Sequence, residues 1–187
     1  MPAETIVDLD LEEGDPATAE TLQLLEAAAG RAEALEAALR LLNFRARSRA
    51  ELARRLHRSG HAQPAIEAAV HRCDELGYLD DNAFALAYVR DRLKFRPRGR
   101  RVLVAELGAR GVGKATAERA IDLVFEETGA SEAALAHLLA RKRRRAMVGL
   151  EPDVARRRLV AYLARRGFSP ATIRDAVGQA LVETSAD

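Results

Sequence analysis

Several runs of residues in this 187-residue chain have types and spacings that chemistry uses. Gly108-Ala109-Arg110-Gly111-Val112-Gly113-Lys114 fits the pattern G-x-x-x-x-G-K, in which backbone amides cradle phosphates and the lysine reaches a terminal one. The next position should be Ser or Thr to hold magnesium, and here it is Ala115. The pattern also needs a preceding strand, whereas Leu103 and Leu107 continue a helical stripe. Two of the parts that nucleotide hydrolysis requires are thus missing. Gly111-Val112-Gly113 followed by Ala117 is a better match to a helix-hairpin-helix turn, which offers loop amides and a helix N-terminus to DNA phosphates. The equivalent turns His61-Ala62-Gln63-Pro64 and Phe168-Ser169-Pro170 lack the second glycine, so the turn reads as a repeat feature with one glycine-rich instance.

His57, His61, His71 and Cys73 are four candidate zinc ligands. Gly60 separates the first two, and Cys73 shares an apolar stripe with Val70, which reads as a small buried thiol. No Ser–His–Asp, Cys–His or paired-carboxylate arrangement stands out. Asp80-Asp81 directly precedes an expected helix, where carboxylates cap free amides and suit the helix dipole. The sequence therefore assigns no catalytic residue, cofactor or metal.

What remains is positive charge. One run spans Arg90, Arg92, Lys94, Arg96, Arg98, Arg100 and Arg101; a second is Arg141-Lys142-Arg143-Arg144-Arg145; a third is Arg156-Arg157-Arg158. Consecutive cations repel one another, and a polyanionic partner would relieve that cost. Pro97 and Gly99 break the first run, so its cations should lie on a helix end, a loop and a helix start. The net charge of +2 hides a split: residues 1–30 carry eight acids and no Lys or Arg, while in residues 31–187 thirty cations outnumber twenty acids by ten. Only Lys94, Lys114 and Lys142 of the cations are lysines. Arginine binds phosphate and carboxylate through a planar fork. A basic body of this kind points to an anionic partner, nucleic acid or an acidic protein groove; a solvated arginine-rich surface is the plainer alternative.

The elements that would position these groups follow from a repeat. Gly60, Gly111 and Gly167 align. Leu56, Leu107 and Leu163 stand four residues before them, and Leu52, Leu103 and Leu159 eight before. Ala69, Ala120 and Ala176 stand nine after, and Val70, Ile121 and Val177 ten after. Leucines at i and i+4 share a helical face, and each glycine ends its helix in the left-handed conformation. Ser169-Pro170 is a helix start, with Ser as cap and Pro first. A further helix precedes each leucine pair, carrying Leu35, Leu39 and Leu42, then Phe84, Tyr88 and Leu93, then Leu135, Leu138 and Leu139. The expected fold is all-α, three tandem three-helix repeats in an elongated arrangement. The boundaries are an acidic disordered extension over 1–30, in which Thr21 to Ala29 has some helical character, and repeats over 31–79, 80–128 and 129–187.

The apolar share of 48 % is mostly Ala, Leu and Val, with no Trp, which favours helix over sheet. No apolar run is long enough to span a membrane, and the acidic start resembles neither a secretory signal nor a transit peptide. Cys73 is the single cysteine, so no disulfide can form within the chain, which suits a reducing cytoplasm.

Three segments resemble the RecX family. Arg45-Ala46-Arg47-Ser48-Arg49-Ala50-Glu51-Leu52-Ala53-Arg54-Arg55-Leu56 is similar to its first-repeat signature. Gly77-Tyr78-Leu79-Asp80-Asp81-Asn82-Ala83-Phe84-Ala85, with Tyr88-Val89-Arg90 following, resembles the junction of its first and second repeats. Arg165-Arg166-Gly167-Phe168-Ser169 resembles its third-repeat turn. The resemblance covers about residues 33–183. It implies tandem three-helix repeats and a non-enzymatic regulator that binds the RecA recombinase, chiefly as its filament on single-stranded DNA. It further implies inhibition of strand exchange, ATP hydrolysis and co-protease activity, with weak direct DNA binding in some members. The candidate contact residues are then Arg45, Arg47, Arg165 and Arg166 together with the 90–101 and 141–145 runs, on a cytoplasmic monomer without a membrane contact. The alternative is a sequence-nonspecific DNA-binding protein with no recombinase partner. The acidic extension departs from the family pattern; it would either compete for the basic surface or act as a passive solubilising tail.

Overall fold

The computed structural model describes residues 18–147 and 149–183. The described residues form helices and connecting turns, with no strand among them. The helices are α1 (Ala19–Phe44), α2 (Arg49–Arg58), α3 (Gln63–Glu75), α4 (Asp81–Phe95), α5 (Arg100–Gly108), α6 (Lys114–Thr128), α7 (Glu132–Arg145), α8 (Pro152–Arg165) and α9 (Pro170–Glu183). The chain divides into two units, Met1–Asp81 and Asn82–Asp187.

The first unit has one core. Ala34 and Ala38 of α1, Leu52 and Leu56 of α2, and Ala65, Ile66, Ala69 and Cys73 of α3 are buried together with Leu79. The second unit has two. Phe84, Ala85, Val89, Leu103, Leu107, Ala117, Ile121 and Val124 form one, and Ala136, Leu139, Ala140, Leu159, Leu163, Phe168, Ile173 and Val177 the other. The aligned leucines are completely buried in all three cores, as their helical spacing requires.

Each leucine pair ends in the same device. Gly60, Gly111 and Gly167 take φ of 89°, 84° and 85°. The next residue turns back, so that the N–H groups of His61, Val112 and Phe168 donate to the carbonyls of Leu56, Leu107 and Leu163. This is a Schellman closure, which fills otherwise orphaned carbonyls. Its accompanying apolar contact is present where Val112 and Phe168 sink into their cores. Helix starts are equally explicit: Thr18, Ser48, Ser131 and Ser169 each accept a backbone N–H three residues on, all at 3.1 Å.

The structure corrects two faces. Leu39 and Leu138 were expected in the core stripes, yet they are 37 % and 51 % exposed. The inward positions are Ala34 and Ala38 on α1, and Ala136 and Ala140 on α7; Leu39 and Leu138 sit off that line, with Leu39 one residue, about 100°, around the helix from Ala38. Small alanines there leave room for the leucines of the middle helices. Helix α1 also begins at Ala19, behind its Thr18 cap, and so takes in residues 19–30 of the acidic stretch. Residues 1–17, on which the expectation of disorder also falls, lie outside the described residues.

Candidate functional site

The cations sort by how far the fold has already engaged them. A motif Arg-x-Arg-x-Arg stands at equivalent places in the first two repeats, at Arg45-Ala46-Arg47-Ser48-Arg49 and, 51 residues on, at Arg96-Pro97-Arg98-Gly99-Arg100. Its third arginine is structural in both copies. Arg49 pairs with Asp74 and Asp81, and Arg100 pairs with Asp122 at 2.5 Å. The second arginine is half-buried: Nε of Arg47 donates to the Leu41 carbonyl at 3.2 Å, and Arg98 lies 3.9 Å from Glu106. The first, Arg45 or Arg96, is exposed.

In the first unit, Arg45 and Arg47 meet Arg54, His57 and Arg58 of α2 around a cleft of about 430 Å3 whose one acid is Glu51. Helical spacing explains the grouping, because Glu51, Arg54 and Arg58 follow at i, i+3 and i+7. Arg54, His57 and Arg58 were missed as site residues when charge was read as runs; their spacing from Arg47 was the available signal. Glu51 is engaged by Arg45 at 3.0 Å.

The 90–101 run lies where Pro97 and Gly99 imply, on the end of α4, a loop and the start of α5. Much of it is internally partnered. Arg90 pairs with Glu127 at 2.6 Å, and Arg92 with Glu106 at 2.9 Å. The Tyr88 ring has the guanidinium carbons of Arg92 and Arg110 each 4.4 Å from its centroid, and its hydroxyl donates to Glu106 at 2.5 Å. Burial first, and the Glu106 hydrogen bond second, push the Tyr88 phenol up to about 12. Lys94 lies over the exposed Phe95 ring. Arg96 and Arg101 are exposed, with no acidic partner among the described residues.

Arg141, Lys142, Arg143, Arg144 and Arg145 form the last turn and a half of α7, where the helix dipole favours cations and offsets their mutual repulsion. Arg144 donates to the Met147 carbonyl at 2.9 Å. Arg143 and Arg166 both lie over the Tyr162 ring, at 5.7 and 4.2 Å, so these two cations from separate runs are brought together. Arg165 and Arg156, Arg157 and Arg158 are exposed on α8.

The motifs that suggested other chemistry find structural roles. Gly108 ends α5, residues 109–113 join it to α6 with no strand before them, and Lys114 opens α6. Cys73 is buried, and burial pushes its thiol up. Among the described residues no three His, Cys, Asp or Glu side chains converge as metal ligands. Asp81, at the head of α4, also caps α2: its carboxylate accepts the Arg49 N–H at 3.0 Å.

Models of the RecX first, second and third three-helix domains match residues 34–73, 80–121 and 130–177. A regulatory protein RecX of Thermobifida fusca is 42 % identical over 131 residues, 70 % of this chain and 69 % of the relative. The chain belongs to the RecX family. A second RecX, from Pelodictyon phaeoclathratiforme, is 34 % identical over 77 % of the chain and 86 % of its own length. The fold agrees with a crystal structure of regulatory protein RecX, at a TM-score of 0.76 and 20 % identity, covering 91 % of this chain and 84 % of that one. It also agrees with RecX from Lactobacillus salivarius, at 0.68 and 20 %, covering 82 % and 97 %. At that identity the two structures speak for the RecX fold alone. No described helix is long and apolar enough to cross a membrane.

Proposed function

We propose that this chain regulates the RecA recombinase without catalysing a reaction itself. It binds the RecA filament on single-stranded DNA and limits strand exchange, ATP hydrolysis and co-protease activity. Membership of a family whose relatives are named regulatory proteins supports the regulatory role. The observation that carries the binding mode is the set of exposed cations not consumed inside the fold: Arg54, Arg58, Arg96, Arg101, Arg141, Lys142 and Arg145 have no acidic partner among the described residues. Such groups meet phosphate or carboxylate at little internal cost. Of the residues singled out in the sequence, Arg90, Arg92 and Arg100 serve the fold first, and Arg45, Arg47, Lys94, Arg98, Arg143, Arg144, Arg165 and Arg166 are further candidate contacts, each within its own unit. The protein acts as a monomer in the cytoplasm, where its buried thiol stays reduced.

Pull-down with RecA, with and without single-stranded DNA and a non-hydrolysable nucleotide, tests this reading. Retention that needs the assembled filament is expected. Retention on DNA but never on RecA would overturn it in favour of sequence-nonspecific DNA binding, which the basic cleft of the first unit also suits.

A further inference from the structure

The cleft along α2 is a peculiarity of the first repeat. At the repeat-equivalent positions of Arg54, His57 and Arg58 the second repeat has Ala105, Gly108 and Ala109, and the third has Ala161, Ala164 and Arg165. Folding of the repeat therefore does not call for the cluster, since the other two cores form without it. Yet the cluster is costly. Burial lowers the pKa of the Arg47 guanidinium, and the charges of Arg45, Arg55 and Arg58 lower it further, with only Glu51 opposing. An anion from outside would relieve that repulsion.

The geometry also selects the anion. Arg47 is anchored through Nε on the Leu41 carbonyl, and its two Nη groups have no hydrogen-bond partner among the described residues. That leaves a fixed planar fork, the shape that recognises phosphate oxygens in pairs. Arg54 and Arg58 stand one helical turn apart, about 6 Å along α2. They are exposed and carry no ion pair among the described residues. An anchored fork at one end and two free guanidinium groups spaced along a helix suit consecutive phosphate groups better than a single carboxylate.

We propose that this cleft is a phosphate-binding site, in which Arg47 grips one phosphate group and Arg54 and Arg58 hold the next. The ligand is a phosphate chain, supplied by a nucleic-acid backbone or by a free polyphosphate. The proposal rests on the reading above only in taking the cationic surface to face the partner.

The test uses the full chain without recombinase, so a failed filament pull-down leaves it untouched. Tripolyphosphate and a short single-stranded oligonucleotide are titrated in turn, following the backbone amide signals of α2 by NMR and oligonucleotide affinity across a range of salt. Arg54→Ala with Arg58→Ala is the variant, because both side chains are exposed and their removal leaves the core intact. The amides of residues 47–58 should shift, and the salt slope for the oligonucleotide should fall by about 0.7 for each phosphate no longer held. Shifts with both ligands would show that either source serves; shifts with the oligonucleotide alone would assign the site to a nucleic-acid strand. An unchanged affinity and slope in the double variant, or still amides with both ligands, would overturn the proposal. So would saturation by an oligoglutamate peptide with tripolyphosphate silent, since the cleft would then be built for carboxylates. Arg47→Lys, which keeps the charge and loses the fork, should weaken tripolyphosphate binding while circular dichroism stays native.

Discussion

Asp81 accepts the backbone N–H of Arg49 at 3.0 Å across thirty-two residues of chain, and Glu132 accepts the backbone N–H of Arg100 at 3.1 Å across the same separation. In both cases a carboxylate at the head of one helix, α4 or α7, caps the start of another, α2 or α5. The negative charge also sits at the positive end of the capped helix dipole.

These caps carry stability. Asp81→Ala and Glu132→Ala should each destabilise the protein by about 1 kcal/mol, the usual effect of losing a side-chain cap. Glu132→Gln, which keeps the acceptor oxygen, should lose less. Urea unfolding of the three variants checks the order, and equal loss in Glu132→Ala and Glu132→Gln would mean that charge rather than the hydrogen bond matters.

Gly99 is required by a close approach. A Cβ built there would lie 2.6 Å from the Phe168 nitrogen and closer still to the Gly167 carbonyl, and the Gly99 N–H donates to the Arg166 carbonyl at 2.8 Å. Its neighbour in this contact is itself a left-handed glycine facing Val102. Backbone cannot yield as a side chain tip can, so Gly99→Ala should cost about 1–3 kcal/mol, the range for overpacking. Gly30→Ala, where a Cβ meets nothing within 4 Å and the backbone is helical, is the control and should be neutral or slightly stabilising.

Acid should weaken the second unit through Glu106. Burial alone would push its carboxyl up, but hydrogen bonds from Tyr88 and Arg92 and the charges of Arg92 and Arg98 outweigh it and hold it below the usual range. A carboxyl depressed by folding stabilises the native state above its unfolded value, about 4.3, and that contribution is lost as pH falls through the folded value. Glu106→Gln should therefore flatten the acid limb of a stability–pH curve while lowering stability near neutrality.

Alkali tests the same cluster from the other side. With the Tyr88 phenol raised to about 12, the fold favours its neutral form, so stability should decline as pH climbs from about 10, the unfolded value, towards 12. Tyrosinate absorbance should show a late-titrating component from Tyr88. Tyr88→Phe should remove that late component and no other.

What the sequence made legible was periodic. Leu52 and Leu56, and Gly60 after them, announce a helix and its end because helical spacing and left-handed backbone leave local marks. The partners of Arg49 and Arg100 left none: Asp81 and Glu132 are far along the chain, and only the 51-residue period links one pair to the other. The run from Arg90 to Arg101 shows why charge alone misleads. It announces cations but cannot say that Glu127, Glu106 and Asp122 will stand opposite three of them. Leu39 and Leu138 were misplaced for a related reason, since large apolar side chains outweigh the alanines that mark the closest approach of helices.

The cap of α2 is Ser48, buried and bonded to the Glu51 amide; its counterpart on α5 is Gly99, where even a methyl group has no room. That single difference makes the repeats non-interchangeable. A duplication or shuffling event that set a serine-capped copy in the second place would drive a side chain into the turn at Gly167. The family resemblance among the three modules thus hides a difference of place, written where the second module must make way for the third.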